Sequence, residues 1–174
     1  MKEPSAPAGL TRDDLLDMYY RMVLARALSA RMWVLNRMGK APFAITCDGQ
    51  EAAQVGSAYA LKRGRDFVVP YYRDIGVALV IGMTPREIML GFLAKAADPS
   101  SGGRQMPCHF GHPKLRIISV YSVVASLIPH AVGIALASKL RGEKDVTIVY
   151  FGDGATSEGD FHEGLNFAAV RRLP

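Results

Sequence analysis

The sequence has only two cysteines, Cys47 and Cys108, in 174 residues. They form no Cys-x-x-Cys pair, and Cys108 with His109 and His112 nearby supplies too few ligands at suitable spacing for a metal site. Two separate thiols in a reduced protein are the reading that remains. No stretch is long and apolar enough to span a bilayer, so no membrane is expected as a partner. The segment Met1–Gly9 lacks both the apolar core of a signal peptide and the Arg-rich helix of a transit peptide. Residues 1–10 are therefore expected to be a flexible leader on a cytoplasmic protein. Long basic runs are absent too. Lys and Arg number 21 against 16 Asp and Glu, for a net charge of +5, but they are scattered and not interleaved with aromatics. That pattern describes a solvated basic surface rather than a nucleic-acid interface. It still leaves enough charge for a phosphate-bearing ligand or an acidic partner subunit. The Gly-x-Gly-x-x-Gly pattern of dinucleotide binding is missing: after Gly152-Asp153-Gly154 no glycine arrives until Gly159.

What is present is a globular composition, 49% hydrophobic and 21% charged, in a chain long enough for one buried core. One α/β domain is expected over residues 11–174, with no internal repeat and no linker. Thr11 and Asp14 form a near capping box, and no Pro or Gly interrupts Leu15 to Met38, where Leu16, Tyr19, Tyr20, Val23, Ala27 and Ala30 fall near a helical repeat. Gly39 ends that helix. A second helix follows Asp48-Gly49 and runs to Lys62, rich in small residues. Phe67-Val68-Val69-Pro70 reads as a short strand, and an apolar helix follows Tyr71–Asp74. Thr84-Pro85-Arg86-Glu87 starts a helix that is expected to run to about Ala97. Asp98 to Arg116 is a long irregular stretch of the kind that usually carries function. A small-residue helix is expected after Pro129, from Ala131 to Arg141. Asp145–Phe151 reads as a central parallel strand buried on both faces, and a helix from about Glu158 to Arg171 follows it. The parallel strand that normally completes such a unit by a right-handed crossover does not appear. The sheet is therefore expected to be incomplete at the C-terminus. An apolar sheet edge left open would favour self-association.

The junction at residues 145–165 carries the sharpest chemistry. Ligands of open α/β sheets bind beyond the carboxyl ends of the strands. Gly152 and Gly154 let a ligand approach the backbone, amides at a helix start favour an anion, and Asp153 suits a hard cation. Together they describe a cradle for a magnesium-bound diphosphate. Taken alone, Gly-Asp-Gly also fits an ordinary turn after a strand. Tyr72-Arg73 fits either a surface turn or a phosphate contact. Ser122 and Val124, taken alone, read as a loop serine and a core valine. His109, His112, His130 and His162 are candidate acid–base groups, with His109 the foremost, although loop histidines are more often structural. Glu158 and Asp160 are accounted for by the helix dipole.

The block Phe151-Gly152-Asp153-Gly154-Ala155-Thr156-Ser157-Glu158-Gly159-Asp160, continuing to Ala169, closely resembles the thiamine diphosphate motif of 2-oxo acid dehydrogenase alpha subunits. Asp48–Ala52, Tyr71–Gly76 and Gly103–Gly111 resemble three further blocks of that family. The Arg104-Gln105-Met106-Pro107 loop is similar to the branched-chain members. The match runs from about residue 13 to 174. This resemblance implies a doubly wound, mostly parallel α/β sheet of the thiamine-diphosphate-binding type. It implies oxidative decarboxylation of a 2-oxo acid, of the branched-chain class by the same loop, with the acyl group passing to a lipoyl group. The implied cofactors are thiamine diphosphate and Mg2+. By position, it implies that Tyr72 and Arg73 reach the diphosphate. Ser122 and Val124 would contact the aminopyrimidine, with Val124 as the wedge that bends the cofactor. Gly152, Gly154 and Ala155 would offer backbone, and Asp153 would ligate the metal. The implied partners are a beta subunit in an alpha-two, beta-two assembly, a lipoyl-bearing acyltransferase and a separate C-terminal half. Leu127 stands where a polar potassium ligand occurs in some members, so that ion is not expected. An Asn-Asn block of the family has no counterpart in this sequence, which points to an N-terminal portion that is inactive alone. Two other readings stand beside this one: a non-catalytic fragment or assembly subunit that keeps the fold, and an unrelated nucleotide- or phosphate-binding module.

Overall fold

Thr11 caps the first helix. Its hydroxyl accepts from the Asp14 amide at 3.1 Å, and the Asp14 carboxylate accepts from the Thr11 amide at 2.8 Å, which closes the expected box. The resulting α1 spans Arg12–Arg37. The structure is a computed structural model that describes residues 9–174, so the expected leader lies outside the described residues apart from Gly9 and Leu10. The buried face of α1 is Ala25, Leu28, Ser29, Met32 and Leu35. Leu16, Tyr19, Tyr20 and Val23 are exposed, Tyr19 by 66%. α1 is apolar on both faces, and periodicity identifies the helix without choosing the face that meets the core.

Of the next three helices, the first and third are shorter than their patterns suggest. α2 is Glu51–Tyr59 and stops before the expected Lys62, α3 is Ile75–Ile81, and α4 is Pro85–Phe92. α4 begins on a complete Thr84–Glu87 capping box. It ends short of the expected Ala97 because Ala94 takes a positive φ of 50° and turns the chain away. All seven residues of α3 are buried.

The strands are β1, Phe67–Val69, and β2, Thr147–Val149, paired in parallel with Val68 opposite Ile148. Ile117 adds a parallel bridge on the other side of Val68. Alternation sends successive side chains to opposite faces. Val68 and Ile148 join the core built by α1, α2 and α3, whereas Val69 and Val149 pack with Leu127 and Ala131 of the following helix. The chain is thus α/β, with a small parallel sheet between helices. β2 differs from its expectation. It is three residues long rather than seven and is half-buried throughout, with Val146 and Phe151 exposed. Its inner edge is held by β1. At its outer edge the Thr147 amide meets only the Pro174 carbonyl, at 3.4 Å, among the described residues.

α5 is Leu127–Leu140, and α6 is Gly159–Arg171. α5 starts four residues before the expected Ala131 and takes in Pro129, which sits in its first turn, where a missing N–H leaves no helical bond unmade. The two helices touch at Gly164. A Cβ there would stand 2.7 Å from Ile128 Cγ2. Between α4 and α5, the long irregular stretch is gathered by Asp98. Its carboxylate accepts from the Ser100 and Ser101 amides, both at 3.0 Å, and from the Ser101 hydroxyl. Buried Asp145 anchors the approach to β2: Ser138 Oγ donates to it at 2.8 Å, and the Arg116 guanidinium lies 3.5 Å away.

Candidate functional site

Because β1 and β2 are parallel, their carboxyl ends open on the same edge of the sheet. β1 leads through Pro70 into Tyr71-Tyr72-Arg73-Asp74, and β2 leads through Tyr150 and Phe151 into Gly152-Asp153-Gly154-Ala155. Between these turns lies a cavity of about 670 Å3. Its lining includes Arg73, Asp74, Val124 and the whole Gly152–Ala155 turn, with Gln54 and Ser57 from α2.

The first turn is tied down from two sides. Asp74 Oδ2 accepts from the Tyr71 amide at 2.8 Å. Gln54, buried on α2, donates from Nε2 to the Arg73 carbonyl at 3.1 Å and accepts from the Gly76 amide at 3.0 Å. A Cβ at Gly76 would lie 2.9 Å from Gln54 Oε1 and 3.1 Å from Gln54 Cβ, so the Gln54 clamp would have to shift to admit one. Burial pushes the Asp74 carboxyl up to about 6. Burial, with the hydrogen bond between the Tyr71 and Tyr72 hydroxyls, pushes Tyr71 up to about 12. None of the ion pairs among the described residues uses Arg73. Its guanidinium lies 5.2 Å from the Tyr72 ring centre and has charge to offer a ligand.

The second turn departs from its expectation. Asp153–Ser157 forms a short 3-10 turn, and extended Glu158 separates it from α6. The glycine turn therefore does not open the α-helix directly. The Ala155 amide already donates to the Gly152 carbonyl at 3.0 Å, and the Ala155 side chain is buried. Gly154 faces open space, with nothing within 4 Å of an added Cβ. The Asp153 carboxylate is exposed and accepts no hydrogen bond among the described residues. No cluster of three or more His, Cys, Asp or Glu forms among those residues.

Tyr72 and Ser122 face a second cavity, of about 380 Å3, that also includes Trp33, Phe43 and Met106. Arg73 borders both cavities. His109 lies behind Ser122 and lines neither of them. One ring nitrogen bonds the Ser122 hydroxyl, the other is 3.1 Å from the Pro107 carbonyl, and the ring stacks on Tyr72 with centroids 5.9 Å apart. The remaining histidines stand apart from the large cavity. His130 bonds the Tyr121 hydroxyl at 2.6 Å, His112 lies 3.6 Å from Glu87, and His162 meets the edge of Phe161. Cys47 and Cys108 are free and buried, and burial pushes their thiols up to about 11 and about 12, away from reactive thiolates.

Sequence reasoning missed the α2 wall of the large cavity. Gln50, Gln54 and Ser57 all line it, and Ser57 Oγ lies 3.0 Å from the Tyr150 hydroxyl. The i, i+4, i+7 spacing of these three polar residues was the available signal.

A family model described as Dehydrogenase E1 component matches residues 19–174. The chain belongs to the dehydrogenase E1 component family. It is 57% identical over 166 residues to the 2-oxoisovalerate dehydrogenase subunit alpha of Bacillus subtilis (strain 168), covering 95% of this chain and 50% of that protein. It is 37% identical to the mitochondrial 2-oxoisovalerate dehydrogenase subunit alpha of Dictyostelium discoideum, over all of this chain and 39% of that protein. The corresponding Homo sapiens protein is 37% identical over 98% of this chain and 38% of its own length. The chain spans about half the length of the first relative and less of the other two. The matched part of this E1-family chain holds both strands and both turns of the large cavity. All three relatives carry the name 2-oxoisovalerate dehydrogenase subunit alpha. Among the described residues, no helix is long and apolar enough to cross a membrane.

Proposed function

We propose that this chain is the diphosphate- and metal-holding part of the alpha subunit of a thiamine-diphosphate-dependent, branched-chain 2-oxo acid dehydrogenase. The observation that carries this reading is the convergence of Arg73 with the Gly152–Ala155 turn on one cavity at the carboxyl ends of two parallel strands. The volume, about 670 Å3, suits a small-molecule cofactor, for which sites of roughly 300–1,000 Å3 are typical. The donor set fits as well: an uncommitted guanidinium, an open glycine and a free carboxylate. Mg2+ is commonly held by one or two carboxylates, with phosphate oxygens and water completing its octahedron. A lone Asp153 is therefore a sufficient protein anchor beside a diphosphate.

In this reading Arg73 neutralises the diphosphate, Gly152 and Gly154 let it approach the backbone, and Asp153 holds the metal. Tyr72 and Ser122 border the same ligand from the second cavity. Val124, half-exposed on the wall of the large cavity, is the apolar wedge. Ala155 shapes the floor with its buried methyl, since its amide is committed within the turn. When bound, thiamine diphosphate supplies the electron sink through which a 2-oxo acid loses CO2. We further propose a single domain over residues 11–174 within a doubly wound sheet, a beta subunit as partner in a heterotetramer, a lipoyl-bearing acyltransferase as acyl acceptor, and a cytoplasmic location.

Calorimetric titration with thiamine diphosphate and Mg2+, in the presence of the beta subunit, tests the reading. Binding weakened at least tenfold by both Arg73→Ala and Asp153→Ala is the expected outcome. Undiminished binding by both variants, or preference for a nucleotide, refutes it.

A further inference from the structure

His109 is a buried histidine whose two ring nitrogens are both engaged, and its carbonyl partner decides which nitrogen of a neutral imidazole carries the proton. Nδ1 lies 3.1 Å from the Pro107 carbonyl, an atom that can only accept. Nδ1 must therefore be the N–H donor, which leaves Nε2 of the neutral ring as an acceptor. The hydrogen bond between Nε2 and Ser122 Oγ then takes the hydroxyl proton of Ser122. Ser122 is the exposed member of this pair, and it borders the cavity shared with Tyr72 and Arg73. With its proton turned inward, it shows that cavity only oxygen lone pairs. The ring is fixed in place by its stack against Tyr72 at an interplanar angle of 16°. Cys108, at a φ of 63°, turns the backbone that presents it.

We infer that His109 is a positioning residue that makes Ser122 an obligate hydrogen-bond acceptor, so that this side of the site selects a ligand group that donates an N–H. This inference rests on the functional reading above, in which Ser122 borders the cofactor's aminopyrimidine. The selected group is then an exocyclic amino group, and a ligand bearing an oxo group at that position is rejected. Two oxygens, each offering only lone pairs, would face one another. A serine without this histidine has a free rotor and can turn its proton toward either ligand.

The test compares two ligands by calorimetry on the intact protein with its beta subunit and Mg2+: thiamine diphosphate, and the analogue carrying an oxo group in place of the pyrimidine amino group. The readout is the ratio of their Kd values. Wild type should prefer the amino ligand by about tenfold or more, the scale of one satisfied against one unsatisfied buried hydrogen bond. His109→Phe should reduce the ratio toward one. Ser122→Ala should reduce it equally, and the double variant no further. His109→Gln, whose amide oxygen can accept from Ser122, should retain the preference, a rescue that a purely structural role does not predict. A wild-type ratio in folded His109→Phe or in Ser122→Ala overturns the inference while leaving the functional reading intact. If neither ligand binds wild type, the functional reading fails and the inference falls with it.

Discussion

Asp74 should make the protein less stable as pH rises from 4 to 6. Its carboxyl is buried behind the Tyr71–Arg73 turn, and burial raises it from an ordinary value of 3.8 to about 6. The folded state therefore holds this proton more tightly than the unfolded state does. Between the two values the native chain binds more protons, so stability falls with rising pH and levels off above about 6. The gap from 3.8 to about 6 corresponds to about 3 kcal/mol. Asp74→Asn keeps an oxygen to accept from the Tyr71 amide and never ionises. Its new amide hydrogens cost about 1–3 kcal/mol if they find no partner, but that cost does not vary with pH. Urea denaturation of wild type and Asp74→Asn at pH 4, 5, 6 and 7 isolates the effect as a change in their difference. The variant should gain about 2 kcal/mol of that relative to wild type between pH 4 and pH 7, since the unfolded carboxyl is already more than half ionised at pH 4. Parallel stability curves for the two proteins would refute the argument.

Gly164→Ala drives a methyl to within 2.7 Å of Ile128 Cγ2. It should lower stability by about 1–3 kcal/mol through overpacking of α5 against α6, visible as a fall in Tm, although alanine is the better helix former. Thr84→Ala removes the cap of α4 and should cost about 1 kcal/mol by chemical denaturation, with Thr84→Ser close to wild type. Asp153→Asn should remove the Mg2+ dependence of thiamine diphosphate binding while leaving the melting temperature in the absence of ligand unchanged, because its carboxylate bonds nothing else in the described protein.

Local features of the fold were legible because their causes are local. The Thr11 and Thr84 boxes each need only four consecutive residues, and both close as written. Gly-Asp-Gly after a β-branched run marks a strand end, and the structure ends β2 at Val149, two residues before it. Features that depend on tertiary partners were less legible. α1 is apolar on two faces, so the stripe containing Tyr19 and Tyr20 looked as eligible for the core as the one containing Met32. The apolar run at 145–151 suggested burial on both faces, but burial depends on what pairs with each edge, and β2 has a strand on one edge only.

The site divides in the same way. Arg73, Val124 and Gly152–Ala155 line one cavity. Tyr72 and Ser122 line the neighbouring cavity instead, with Arg73 on the border of both. The His109–Ser122 bond joins residues 13 apart across a loop with a positive-φ cysteine, and no periodicity announces such a contact. The Gln54 clamp on the Arg73 carbonyl is equally silent in sequence, since a polar residue on an exposed helix face and one that clamps a buried turn have the same spacing.

The most direct test of the account is a crystal structure of the protein with its beta subunit, thiamine diphosphate and Mg2+. The diphosphate should lie in the cavity between the Arg73 and Gly152–Ala155 turns, with the metal on Asp153. A diphosphate bound elsewhere, or a metal that avoids Asp153, would contradict it.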